Sequence, residues 1–133
     1  MKITATALCF LMVINGCSTG KLYQSPTGLQ YRVLQKGHGP KARPGQQILL
    51  RETTSYRNGT VLYSNEKKGN PVPVTIGAGQ ATLAVDEALR GMQQGEIKEI
   101  IAPPHLVKRT FYPANTHPDS TLVIKLLLQQ IVH

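Results

Sequence analysis

Only one segment of this chain has convincing helical spacing, and it is short. TLAVDEALR, Thr82 to Arg90, opens on a residue suited to capping, offers Leu83, Leu89 and the small Ala84 and Ala88 for a core face, and stops at Gly91. GAGQ precedes it and GMQQGE follows it, so turns bound it on both sides. Nearly everything else reads as strand or turn. An antiparallel sheet must therefore cover the helix, which makes the chain an α+β domain.

Period-two alternation supplies the first strand, and β-branched content with turn signals the others. Leu29, Tyr31 and Val33 alternate with Gln30, Arg32 and Leu34. Gln47 to Tyr56, QILLRETTSY, runs up to Asn58-Gly59, a strong signal for a two-residue hairpin loop, and Thr60 to Ser64 returns from it. Val72 to Ile76 and Glu96 to Ala102 add two shorter strands, the second ended by Pro103-Pro104. Ser120 to Val132 is a long last strand whose continuous apolar middle predicts a central position buried on both faces. Lys36 to Gln46, rich in Gly and Pro, reads as a loop, and His105 to Asp119 as irregular.

The N-terminus has a different character. Lys2 precedes the apolar run Ile3 to Ile14, too short to span a bilayer but suited to the hydrophobic region of a secretory signal. Ile14-Asn15-Gly16-Cys17 resembles the lipobox of bacterial lipoproteins, which predicts cleavage after residue 16 and lipid on Cys17. Residues 17–25 then form a polar tether and 26–132 the domain. Several acyl chains on one residue anchor durably where a single chain is marginal. The expected location is the cell envelope, on the outer face of a bacterial membrane.

Of the two Cys, Cys9 leaves with the signal and Cys17 carries lipid, so no pair remains for a disulfide or a thiol site. The chain of 133 residues carries a net charge of +8; removing Lys2 from its 15 basic residues leaves 14 against 7 acidic, or +7. Those charges are scattered and no aromatic platform accompanies them, so nucleic acid is not the expected partner. His38, His105, His117 and His133 lack ligand spacing, and neither metal nor cofactor is expected. Asp86 and Glu87, adjacent on the helix, suit solvated or capping roles better than paired acid and base.

Five collinear segments carry a more specific signal: GLQYRVLQKGHGPKARPGQQI, NGTVLYSN, PVPVTIGAGQATLAVDEALRGMQQGE, APPH and HPDSTLVIKLLLQQI. In that order they resemble the FKBP family of peptidyl-prolyl cis-trans isomerases, from about Ser25 to Val132. The resemblance implies a twisted antiparallel sheet wrapped round one short helix, with a shallow pocket between them for a substrate proline. It also implies the pocket residues. Val85 stands where the family has a Trp on the pocket floor, and Leu62-Tyr63 where it has Phe-Asp after the hairpin. Glu52 replaces a Tyr, Val72 a Phe, Lys108 the Tyr that binds a carbonyl, Ile124 a Phe, and Ala81-Thr82 the usual Val-Ile before the helix. Most of the family's pocket aromatics are gone, in line with an aromatic content of 5% and no Trp. Phe111 and Tyr112 are candidates to refill the floor.

Two functions are compatible with such a pocket. One is a prolyl isomerase of weak or altered activity that helps proline-containing exported polypeptides fold. The other is a non-catalytic binding module for an envelope protein. A monomer is expected in either case.

Overall fold

The computed structural model describes residues 20–132; the expected signal sequence, Cys17 and the first part of the expected tether lie outside the described residues. Nine strands and one α-helix follow in order: β1 (Tyr23–Gln24), β2 (Gln30–Gln35), β3 (His38–Lys41), β4 (Gln47–Tyr56), β5 (Val61–Ser64), β6 (Val72–Thr75), α1 (Leu83–Leu89), β7 (Gln93–Gln94), β8 (Ile97–Ala102) and β9 (Leu122–Ile131). All strand pairings are antiparallel. The main sheet has the order β1-β2-β8-β9-β4-β5, with β6 also on β4, and β3 pairs with β7 apart from it.

α1 lies against the inner face of this sheet. Ala84, Val85, Ala88 and Leu89 are buried with Ile48, Leu50, Ile100, Ile124, Leu126 and Leu128 in one apolar cluster. Leu83, expected on the core face, is instead 67% exposed, because the buried stripe runs through Ala84 and Ala88. Thr82 does precede the helix, but its side chain makes no capping hydrogen bond. The helix is fastened by other groups. Asp86 accepts the Gly77 N–H (2.7 Å) and pairs with Arg90 (2.8 Å), while Glu87 accepts Thr27 Oγ1–H (2.7 Å). Lys98 rises from β8 to donate to the Ala88 carbonyl (2.9 Å), where a cation complements the helix C-terminus. Burial pushes the Lys98 ammonium down and Glu96 beside it pushes it up, burial being the larger effect.

Several sequence expectations need correction. The segment Lys36 to Gln46 is not all loop: His38 pairs with Gln94 and Lys41 with Gln93, the register slipping between them where Gly39-Pro40 sits. A proline that donates no ladder bond is tolerated on such a marginal strand. The Asn58-Gly59 hairpin is wider than a two-residue loop. Only Gly59 takes a positive φ (91°), its N–H donating to the Tyr56 carbonyl (2.9 Å), and Thr60 N–H bonds the Asn58 side chain (3.0 Å). β9 is central, between β8 and β4, yet only one face is buried: Leu122, Ile124, Leu126 and Leu128 point inward while Val123, Lys125 and Leu127 stay partly exposed. The sheet also begins within the expected tether, as Tyr23 pairs with Tyr31 and stacks on its ring (5.6 Å).

β4 has β9 along one edge but two shorter partners along the other. β6 pairs with Gln47 to Leu50 and β5 with Thr53 to Ser55. The gap is closed by Asn65, which is buried: its Oδ1 accepts the Glu52 N–H (2.7 Å), its N–H donates to the Glu52 carbonyl (3.1 Å) and its Nδ2–H to the Leu50 carbonyl (3.3 Å). Asn65→Ala leaves a buried backbone donor and acceptor without partners, so it should lower unfolding free energy by about 2 kcal/mol in urea denaturation, with Glu52 and its neighbours the first amides to lose exchange protection.

Candidate functional site

The inner face of β4 sets the site. Ile48, Leu50, Glu52 and Thr54 share one face by period two, so a carboxyl follows two apolar side chains in that row. Beside it, β6 brings Val72 and Val74, α1 brings Val85, and β9 brings Ile124. Gly79 to Thr82, the turn before the helix, and Lys108 to Thr110, from the loop after β8, close the two sides. The result is a groove of about 430 Å³, within the ordinary range for a small-ligand site.

Eight of the nine expected pocket positions converge there: Glu52, Tyr63, Val72, Ala81, Thr82, Val85, Lys108 and Ile124. Leu62 does not line it. It faces an adjoining cavity of about 420 Å³ with Pro113, Asn115, Thr116 and Leu122, and Glu52, Thr54, Tyr63 and Arg109 line both cavities. Sequence reasoning missed Leu50, Thr54, Val74, Gln80 and Arg109. The alternation of β4 and β6 carried the signal for Leu50, Thr54 and Val74, two residues from positions already singled out. Phe111 and Tyr112 do not refill the floor. Phe111 is 81% exposed, and the Tyr112 hydroxyl accepts the Arg109 N–H (3.2 Å) outside both cavities. Tyr63 is the one aromatic residue lining the groove among the described residues.

The loop carrying Lys108 and Arg109 is held at both ends. A single 3₁₀ turn at Pro104–Leu106 leads into buried Leu106 and Val107, which leaves the next side chains to turn outward. Further on, the Tyr56 hydroxyl donates to the Asn115 carbonyl (2.8 Å) and accepts the His117 N–H (2.9 Å), while Asn115 Nδ2–H donates to the Leu62 carbonyl (3.2 Å).

Polar character in the groove is uneven. Glu52 has no hydrogen bond or ion pair to its carboxyl among the described residues; burial raises its pKa, and Arg109 opposes this in part. Thr82 Oγ1 is buried in the groove wall without a partner. Such a wall can receive a ring on its apolar side and hydrogen-bond a peptide carbonyl on its polar side. It has no evident nucleophile and base in contact, and among the described residues no three potential metal ligands gather.

A family model described as FKBP-type peptidyl-prolyl cis-trans isomerase matches residues 39–129. The chain is 27% identical to FK506-binding protein 2 of Yarrowia lipolytica over 98% of its own length and 92% of that protein. It is 28% identical to the peptidyl-prolyl cis-trans isomerase Mip of Chlamydia pneumoniae over 87% of its length, but spans only 43% of that longer protein. Among solved structures, FkpA from Escherichia coli superposes with a TM-score of 0.73 at 22% identity, covering 83% of this chain and 51% of that one, a likeness of fold.

The raised pKa of Glu52 has a consequence for stability. A carboxyl that binds its proton more tightly in the folded state destabilises the fold once it ionises, so the penalty is absent below the ordinary carboxylate range and grows as pH rises through the raised value. Glu52→Gln should therefore melt higher than the parent at pH 7 and no higher near pH 3.5, as differential scanning calorimetry at the two pH values would show.

Proposed function

This chain belongs to the FKBP-type peptidyl-prolyl cis-trans isomerase family, and from that premise we propose that it is a slow prolyl isomerase anchored in the cell envelope, acting on proline-containing exported polypeptides. The observation that carries the reading is the groove itself: an apolar wall of Leu50, Val72, Val74, Val85 and Ile124 beside a polar rim, at the end of the helix where a proline ring can lodge.

The chemistry asks for no covalent step. Rotation about an X-Pro amide passes through a twisted form that has lost its resonance and is less polar than either planar isomer. A site that binds the twisted form better than the planar ones lowers the barrier. Val72, Val85 and Ile124 remove water from the ring, and Lys108 or the Thr82 hydroxyl offers a hydrogen bond to the carbonyl. The rate is slow because the floor is aliphatic. Val85 supports a ring less closely than a large aromatic would, and Lys108, an exposed flexible cation, fixes a carbonyl less well than a rigid donor.

The anchor is proposed from Ile14-Asn15-Gly16-Cys17 and the apolar run before it. Cys17→Ser should move the protein from the membrane fraction to the soluble fraction and abolish labelling by an acyl-chain analogue.

Catalysis is tested by exchange spectroscopy on several X-Pro tetrapeptides. The parent should speed exchange measurably, and Val85→Trp, alone or with Tyr63→Asp, should raise kcat/KM about tenfold, some 1.4 kcal/mol in the barrier. If neither the parent nor the restored variants accelerate any peptide while both remain folded, the groove serves binding alone.

A further inference from the structure

The charges around the two cavities point to a substrate class. Arg32, Arg90, Lys98 and Lys125 each have an acidic partner, Glu99, Asp86, Glu96 and Glu66 respectively. The side chains of Lys108 and Arg109 have neither an ion pair nor a hydrogen bond among the described residues, and both line the groove. Arg109 also lines the second cavity, where it is the only cation among the described residues.

The one carboxyl in either cavity is Glu52. It sits on the core face of β4, diagonal to Tyr63, which pairs with Thr54, and desolvation there works against its ionisation. The residues facing it across the groove are Arg109 and Lys108 from the loop and Tyr63 from β5; they add no second negative charge. A basic side chain entering the second cavity would meet the Arg109 cation and would need Glu52 ionised. An acidic side chain would meet a free guanidinium whose planar fork can hold both carboxylate oxygens.

We propose that the groove selects peptides with an acidic residue next to the proline, the ring lodging in the first cavity and the carboxylate meeting Arg109 in the second. The proposal rests on the prolyl reading of the first cavity. Because Arg109 is exposed, the gain is modest, about two- to fivefold in affinity.

The test measures binding and turnover separately. Purified protein is titrated calorimetrically with the tetrapeptides Ala-Glu-Pro-Phe, Ala-Ala-Pro-Phe and Ala-Lys-Pro-Phe and with Ala-Pro-Glu-Phe, and exchange is followed in the same samples. One of the two glutamate peptides should bind about two- to fivefold tighter than the all-alanine one, and the lysine peptide weakest. The preference should shrink toward unity between roughly 0.05 and 0.5 M NaCl. Arg109→Gln should abolish it, Arg109→Lys should keep part of it, and Lys67→Gln, a cation outside both cavities, should leave it intact. Equal affinities, a preference for the lysine peptide, or the same loss in Lys67→Gln would overturn the proposal. An acidic preference in binding with no acceleration of exchange would support it while ending the isomerase reading, equal affinities with exchange accelerated would do the reverse, and no binding by any peptide would end both.

Discussion

The backbone of β4 must be hydrogen-bonded along its whole length, and that requirement organises everything around the groove. β9 satisfies one edge without a break other than a single shift. The other edge is shared between β6, along Gln47 to Leu50, and β5, along Thr53 to Ser55. Asn65 bridges the interval by acting as a one-residue strand at Glu52, and Arg51 on the opposite face ties the following loop by donating to the Asn65 and Gly69 carbonyls (2.8 and 3.2 Å). That bridge falls at the residue whose side chain enters the groove.

What fills the groove walls follows from two kinds of support. The floor is rigid, since Val85, Val74, Leu50 and Ile124 belong to the same buried cluster as the centre of the fold. The cationic rim belongs to a loop held by few contacts, chiefly buried Leu106 and Val107 at one end and the Tyr56 hydroxyl at the other. Affinity for a ring is thus set by core packing, and discrimination among neighbouring residues by a part of the chain that can change without disturbing the core. That division explains how a floor that is aliphatic at Val85 and Ile124 still holds the pocket in place.

The sequence exposed some of this and concealed the rest for identifiable reasons. β-Branched and aromatic residues ahead of the Asn58-Gly59 turn located QILLRETTSY, and a β-branched start located STLVIKLLLQQIV; each of these two longest strands exposes one face and buries the other. The continuous apolar middle of the latter suggested burial on both sides, but hydrophobicity alone does not report which face a neighbour covers, and nothing covers Leu127 fully. β3 was hidden by its own composition, because His38-Gly-Pro-Lys41 pairs through backbone at only two positions. The pocket positions were legible only through resemblance, as no single residue among them has a chemistry that announces a site. Arg109 was hardest to see: its role depends on a loop folding back over β4 and β5, a placement fixed by Tyr56, more than fifty residues away in the chain.

The helix that forms the floor is seven residues long, too short to persist without outside contacts, and its anchors come from three separate segments. Asp86 ties it to the turn at Gly77, Lys98 ties its last turn to β8, and Glu87 ties it to Ser25 and Thr27. The last of these matters most for how the site is built into the whole chain. Ser25 and Thr27 follow directly on β1, whose Tyr23 stacks on Tyr31 while the Lys21 ammonium lies over the Tyr23 ring (5.6 Å) and Lys98 over the Tyr31 ring (5.4 Å). Lys98 thus touches both the helix end and the stack that secures the start of the domain. Residues 21–27 are therefore part of the support of the groove floor, and packing fixes the groove relative to them.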